Sequence, residues 1–270
     1  MRRNNAPVSA DPHPSEDPNT AVRRIADEHA GRLYALASRF CRSPEEAEDL
    51  VQEVFLQALR DWHAFRGESS ETTWLYRIAA RTCQRMHRPH AGAPDRIGSL
   101  DALLPFGDPL VASIPAGGED AAARQIRAEA LERLESAIAA LPDDFRVPVV
   151  LKEIVGLSVR EVAEILDAEE GTVRSRLHRA RLKLRASIDG ALPRTPAPPP
   201  AYDERTCMDL LNAKQDALDR GVPFDSAVIC RRCRSVFESL DLTQDLCRSL
   251  GRDDLPEGVR DRLAERLGSA

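Results

Sequence analysis

Aromatic residues make up only 4% of the 270 positions, and no apolar run approaches the ~20 residues needed to cross a bilayer. Alternating β-branched runs, the mark of half-buried strands, are nearly absent. A membrane-spanning chain and a β-sandwich or barrel are thereby excluded. Enzyme signals are missing too: no nucleophile has a base at useful spacing, no glycine loop cradles a phosphate, and no carboxylates pair in a pocket-forming context. The opening segment MRRNNAPVSADPHPSEDPNT lacks the apolar core of a signal peptide, so a cytoplasmic location without a membrane partner is expected.

What is present is charge, 30% of residues, together with an abundance of Ala, Leu, Glu and Arg. These are strong helix formers, and the expected class is all-α. The length allows two or three small domains. Three segments poor in apolar periodicity set their limits: the first 20 residues, a stretch holding Pro89, Pro94, Pro105, Pro109 and Pro115, and the Pro193–Pro200 run, which reads as a stiff polyproline-like spacer. The expected division is a flexible arm (1–20), a helical domain (21–88), a flexible linker (89–123), a second helical domain (124–190), a Pro-rich linker (191–202) and a cysteine-containing helical tail (203–270).

The most informative stretch runs from Gly156 to Arg185. Ser158 and Glu161 stand in capping-box spacing ahead of Val159, Val162, Ala163 and Leu166, which share one face of a helix. Asp167 falls where the chain must turn, a place for a short polar side chain that tolerates the left-handed conformation. A second helix then sets Val173, Leu177, Ala180 and Leu184 inward, so that Arg174, Ser175, Arg176, His178, Arg179, Arg181, Lys183 and Arg185 are expected to face out. No acidic residue interrupts Gly171 to Arg185, although the chain carries a net charge of -6. A purely cationic helix after a capped helix and a turn is how a protein presents itself to DNA.

In the first domain, one helix buries Val22, Ile25, Leu33, Leu36, Ala37 and Phe40, with His29 in the same stripe and read as a packed histidine. The next begins at Ser43 and Pro44, with Glu46 in capping-box position, and buries Ala47, Leu50, Val51, Val54, Ala58 and Trp62. Its other side carries Asp49, Gln52, Glu53 and Leu56, either a solvated face or a docking face. A third helix, from about Thr72 to Arg88, buries Leu75, Ile78, Ala79 and Met86 and aligns Arg77, Arg81, Arg85 and Arg88. The preceding loop FRGESSETTW lies between Phe65 and Trp74: aromatics, a short loop and an arginine stripe suit an unstacked base, while core packing of Trp74 is the competing reading.

DLVQEVFLQAL (Asp49 to Leu59), FRGESSETTWLYRIA (Phe65 to Ala79) and ALPDDFRVPVVLKEIVGLSVREVAEIL followed by EEGTVRSRLHRARLKLR (Ala140 to Arg185) resemble, in order, the signatures of the extracytoplasmic function (ECF) sigma factors of bacterial RNA polymerase, in the sigma-70 family. The resemblance implies that Asp49, Gln52, Glu53 and Phe55 meet the β′ clamp helices of core polymerase, with the β flap as a further contact. It implies that the loop of Phe65, Gly67 and Glu68 captures a flipped base of the minus-ten element. Trp74, Arg77, Arg81 and Arg85 then belong to the melting helix. Arg81 and Arg85 stand where many members have asparagine. In the second domain, Gly171 and Thr172 are expected at phosphates, and Arg174, Ser175, Arg176, His178 and Arg179 at bases or backbone of the minus-thirty-five element. Both duplex and melted promoter DNA are implied as partners, and a separate anti-sigma factor is a further candidate. The alternative is a helix-turn-helix regulator that acts without core polymerase.

Residues 203–270 lie outside this architecture. The Cys230 and Cys233 pair resembles that of zinc-binding anti-sigma domains, but Ser226 stands where those have histidine, and no histidine follows His178. If one helix spans about Ala227 to Leu250, Cys247 lies roughly 21 Å along the axis from Cys233 at ~1.5 Å per residue, too far for one ion. Cys207 folds back on the pair, with Asp225, water or a bent-back Cys247 as fourth group, a set suited to Zn(II), Cd(II) or Cu(I). Otherwise the cysteines pack as small hydrophobes beside Leu210, Leu211, Phe237 and Leu240; Cys41 and Cys83 read as ordinary buried residues. DNA recognition itself needs no cofactor. A metal- or thiol-responsive tail implies regulation in cis, through packing on the DNA- or polymerase-binding faces.

Overall fold

A computed structural model describes residues 17–41, 43–67, 69–86, 97, 103, 104, 106, 108–112, 121–225, 228–250, 258, 262 and 265. Helix α1 (Pro18–Phe40) starts where the Asp17 carboxylate accepts the Thr20 backbone N–H, and α2 (Pro44–Asp61) where the Ser43 hydroxyl accepts that of Glu46. A 3₁₀ turn at Trp62–Ala64 leads towards α3 (Glu71–Met86). The three helices pack on one another through the apolar stripes expected of them, with Phe40, Leu50, Val54 and Ala79 fully buried. Met86 departs from expectation: at the last turn of α3 it is 42% exposed.

The second group of helices is α4 (Ala121–Ala139), α5 (Asp143–Val149), α6 (Val159–Leu166) and α7 (Glu170–Asp189). Between α5 and α6 the chain makes a wide π turn over Val150–Ile154. Wide turns of this kind often sit at functional positions, and this one carries the buried carboxylate Glu153. Arg146 of α5 is fully buried, and its guanidinium donates to the Ala139 carbonyl at 2.9 Å and to Asp143. The Ser158 and Glu161 capping box forms in both directions, and Asp167 takes the left-handed conformation with φ 52. The turn between α6 and α7 is therefore set by local chemistry.

The tail adds α8 (Glu204–Arg220) and α9 (Arg231–Ser249). Helix α8 is closed by Gly221 at φ 66, a conformation glycine adopts without steric cost. Among the described residues the only strands are β1 (Leu110–Ala112) and β2 (Arg194–Pro196), antiparallel with Val111 opposite Thr195. The Pro193–Pro200 run is thus not a free spacer: three of its eight residues, Arg194–Pro196, pair with the segment that follows the first domain. Arg232 at the start of α9 fastens this place, donating to the carbonyls of Asp108 at 2.6 Å and Pro198 at 3.3 Å and to that of Phe106. Ser235 bonds the Ala112 carbonyl.

The helical groups do not stand apart. Helix α3 packs along α6, α1 touches α4 and α5, and buried side chains form one continuous core from Ala21 to Leu250. Arg39 of α1 lies 3.7 Å from Glu135 of α4 and donates to the Leu250 carbonyl at 3.5 Å. Two small helical domains were expected, and among the described residues they lie in contact, with the tail packed beside them. The class is all-α.

Candidate nucleic-acid interface

Helix α7 buries Val173, Leu177, Ala180 and Leu184 completely, on the stripe that its spacing predicts. Its cations divide into two sets. Gly171, Thr172, Arg174, Ser175 and Lys183 are exposed, and Arg176 and Arg179 are half-buried. Arg176 lies 3.6 Å from Asp144, and the Arg179 guanidinium sits 5.4 Å from the centre of the Phe145 ring. Arg181 and Arg185, expected to face out, are instead only 3% and 7% exposed.

The reason is that α8 and α9 cover that edge. Arg181 donates to Glu153 at 2.9 and 2.5 Å and to Gln215 of α8 at 3.1 Å, and lies 2.7 Å from Asp219 of α8. Burial works against its charge, but Glu153 and Asp219 outweigh it and hold the pKa above the ordinary arginine value. The second Glu153 oxygen accepts from Gln244 of α9 at 2.9 Å. Asp219 also lies 3.3 Å from the His178 ring and 3.9 Å from Arg174. Burial alone would raise the Asp219 pKa; the hydrogen bond from His178 and the charge of Arg181 bring it below the ordinary value. Arg185 pairs with Asp189 at 2.6 Å, and Asp189 accepts from Ser239 of α9. Gln215, Asp219, Gln244 and Ser239 were not foreseen from sequence, because a polar residue on a tail helix carries no mark of its partner.

On α2, Asp49 is exposed and Gln52, Glu53 and Leu56 are half-buried, a continuous accessible strip. Glu53 pairs with Arg60 at 2.7 Å. Phe55 does not belong to this strip: it is 0% exposed, within the buried core. Phe65 and Trp74 stack 4.9 Å apart, and both lie against the buried Trp62 at 5.6 and 6.1 Å. Trp74 is half-buried, so core packing accounts for only part of its surface. Gly67 is exposed with φ 71, while Glu68 and Arg88 lie outside the described residues. Arg81 and Arg85 are exposed on α3 and Arg77 is half-buried. The start of α3 is anchored by Arg24, whose guanidinium forks onto Glu71 at 2.7 and 3.1 Å.

The tail thiols form a row. Cys233 is in hydrogen-bond contact with both Cys230 and Cys207, and burial with these neighbours pushes its pKa up to about 12. Cys230, half-buried at the start of α9, has its pKa lowered: burial opposes the thiolate, but the backbone N–H groups of Cys233 and Ala201 outweigh it. Helix α9 is unbroken, so Cys247 does not bend back; it is buried near Glu153 and Arg181 instead. Asp225 is exposed. Among the described residues, the donor sets lying within 4.8 Å of one another are Glu28, His29 and Glu71, and His178, Asp216 and Asp219. The three thiols are not such a set, whereas thiolates on one zinc ion sit about 3.8 Å apart for a Zn–S bond of about 2.3 Å. As arranged, they do not close around zinc or copper. The two carboxylate–histidine sets are already served by cations, the fork of Arg24 on Glu71 and Arg181 beside Asp219.

Comparison with known proteins follows this division. Residues 25–92 match the model of sigma-70 region 2, and residues 131–184 that of sigma-70 region 4. The RNA polymerase sigma-H factor of Pseudomonas aeruginosa is 36% identical over 167 residues, which is 60% of this chain and 80% of that protein. The ECF sigma factor SigW of Bacillus subtilis is 34% identical over 172 residues, 62% of this chain and 89% of that protein. Among solved structures, the sigma factor RpoE of Bartonella quintana, bound to the anti-sigma factor NepR, superposes with a TM-score of 0.44 at 23% identity over 63% of this chain and 97% of that one. Region 2 followed by region 4 on a helical scaffold defines a promoter-recognition subunit of RNA polymerase. The chain belongs to the ECF sigma factors of the sigma-70 family, and the reading as a regulator that dispenses with polymerase is set aside. Both matched regions end before Arg185, so α8 and α9 belong to neither.

Proposed function

We propose that the chain docks on the β′ clamp helices of core polymerase through Asp49, Gln52 and Glu53 of α2, with Phe55 fixing the shape of that helix. Phe65, Gly67 and Glu68, with Trp74 and the arginines Arg77, Arg81 and Arg85, receive the minus-ten element as it melts. Extruding a base costs a few kcal/mol, which the aromatic cluster offsets by stacking. Helix α7 enters the major groove at the minus-thirty-five element, with Gly171 and Thr172 at phosphates and Arg174, Ser175, Arg176, His178 and Arg179 along bases and backbone. The observation that carries this reading is the pairing, in one chain, of an accessible acidic strip on α2 with an accessible cationic face on α7.

The division at residues 21–88, 124–190 and 203–270 assigns core and minus-ten binding, minus-thirty-five binding and regulation in turn. For the tail, the Cys230–Cys233–Cys207 row supports a thiol-responsive role over a closed metal site. Run-off transcription from a genomic fragment library with purified core enzyme tests the whole proposal. The native chain is expected to start transcripts at discrete sites, Asp49→Ala with Glu53→Ala to lose them by roughly tenfold or more, and Arg176→Ala with Arg179→Ala to lose them without loss of core binding. Transcripts that survive all four changes contradict it.

A further inference from the structure

The edge of α7 that lies against the tail is not a random strip. Arg174, His178, Arg181 and Arg185 are spaced i, i+4, i+7 and i+11, one stripe along the helix that the proposed function lays on DNA. Against it α8 sets Asp219, 2.7 Å from Arg181, 3.3 Å from His178 and 3.9 Å from Arg174, with Asp216 also within 4.8 Å of the His178 ring; Arg174 pairs more closely with Glu170 of its own helix, at 2.8 Å. Gln215, one turn earlier, accepts from Arg181 at 3.1 Å and donates to the backbone carbonyl of His178 at 3.2 Å. An acceptor held among arginine and histidine donors, with a neighbour reaching the helix backbone, is the chemistry a phosphate offers the same helix.

Helix α8 is held in this place from behind. Lys214 pairs with Asp241 of α9 at 2.5 Å, and Gln244 of α9 reaches Glu153. Arg232 and Ser235 tie α9 to the carbonyls of Phe106, Asp108 and Ala112. The tail therefore grips α7 and the segment between the two promoter-reading regions at once.

We propose that α8 is an intramolecular stand-in for the DNA backbone: Asp219 and Gln215 occupy the Arg174–His178–Arg181 edge of α7, and a promoter duplex engages α7 along its length only when α8 leaves. The proposal rests on the assignment of α7 as the DNA-reading helix. Each phosphate that a freed cation neutralises releases counterions and steepens the fall of affinity with salt, by about 0.9 in the logarithmic slope.

The test uses the full chain and a 30-base-pair mixed-sequence duplex, with binding followed by fluorescence anisotropy from about 50 to about 200 mM salt. Six proteins are compared: the native chain, Asp219→Ala with Gln215→Ala, Asp241→Ala, which loosens α8 from α9 without altering any residue facing α7, Glu238→Ala, which removes an exposed charge of the same sign, Arg176→Ala with Arg179→Ala, and that pair beside Asp219→Ala. Circular dichroism confirms the helix content of each. The first two variants are expected to bind roughly tenfold more tightly than the native chain, with a slope steeper by about 2, two regained phosphate contacts, and Glu238→Ala to match the native chain. If both tail variants keep the native affinity and slope while Arg176→Ala with Arg179→Ala still weakens binding, the stand-in is overturned and the α7 assignment survives. If Arg176→Ala with Arg179→Ala changes nothing even beside Asp219→Ala, the assignment and the stand-in fall together.

Discussion

Glu153 shows how much a single side chain settles here. It is 4% exposed and takes Arg181 on one oxygen and Gln244 on the other, so it joins the π turn, α7 and α9. Removing one partner of a buried ion pair leaves the other charge stranded at a cost of about 3–5 kcal/mol. Arg181 keeps Asp219 at 2.7 Å, so Glu153→Ala is expected to lose less than that, about 1–3 kcal/mol, read from urea unfolding by circular dichroism. Asp219 gives a pH prediction. Its carboxyl lies below the ordinary value in the folded chain, so its contribution is complete above the unfolded carboxylate pKa, about 3.9, and is lost as pH falls through the lower folded value. Protease resistance of α8 should hold from neutral pH to about 5 and decline only below about 4. Among the tail thiols, the lowered pKa and partial exposure of Cys230 predict that iodoacetamide near pH 8 modifies it ahead of Cys207, Cys233 and Cys247. Mass spectrometry of the partially alkylated native chain checks the order.

At the scale of elements, what the sequence disclosed was local. Ser158 with Glu161, the turn at Asp167, and the inward stripe of Val173, Leu177, Ala180 and Leu184 all follow from neighbours within a few residues, and all are present. Ser158→Ala is expected to cost about 1 kcal/mol and to speed amide exchange in the first turn of α6. What was not legible depended on elements far along the chain. Arg181 and Arg185 have the pattern of solvated cations, and Glu153, 28 residues before Arg181, together with α8 and α9 further along the chain, encloses them. The Arg194–Pro196 strand was hidden because a proline run carries no pairing signal, and its partner strand lies more than 80 residues earlier. Phe55 was assigned to the docking strip by family motif, whereas helical phase alone places it with Val51 and Ala58 on the core side.

For the molecule as a whole, the core runs unbroken through both sigma regions and the tail. Region 2 meets region 4 through α3 against α6 and through Arg39 beside Glu135. Under the proposed function the two DNA elements lie about two helical turns apart, a separation of roughly 70 Å at 34–36 Å per turn. Helices α3 and α6 cannot stay in contact across that span. The account therefore predicts a closed free chain that opens on polymerase. Fluorophores carried by unnatural amino acids at the exposed positions Gln84 on α3 and Lys183 on α7 report this distance directly. With core polymerase and a promoter fragment from the run-off library, energy transfer should drop from efficient to weak, as the labels move apart towards ~70 Å. A bound, transcribing complex in which transfer stays as efficient as in the free chain would contradict the account.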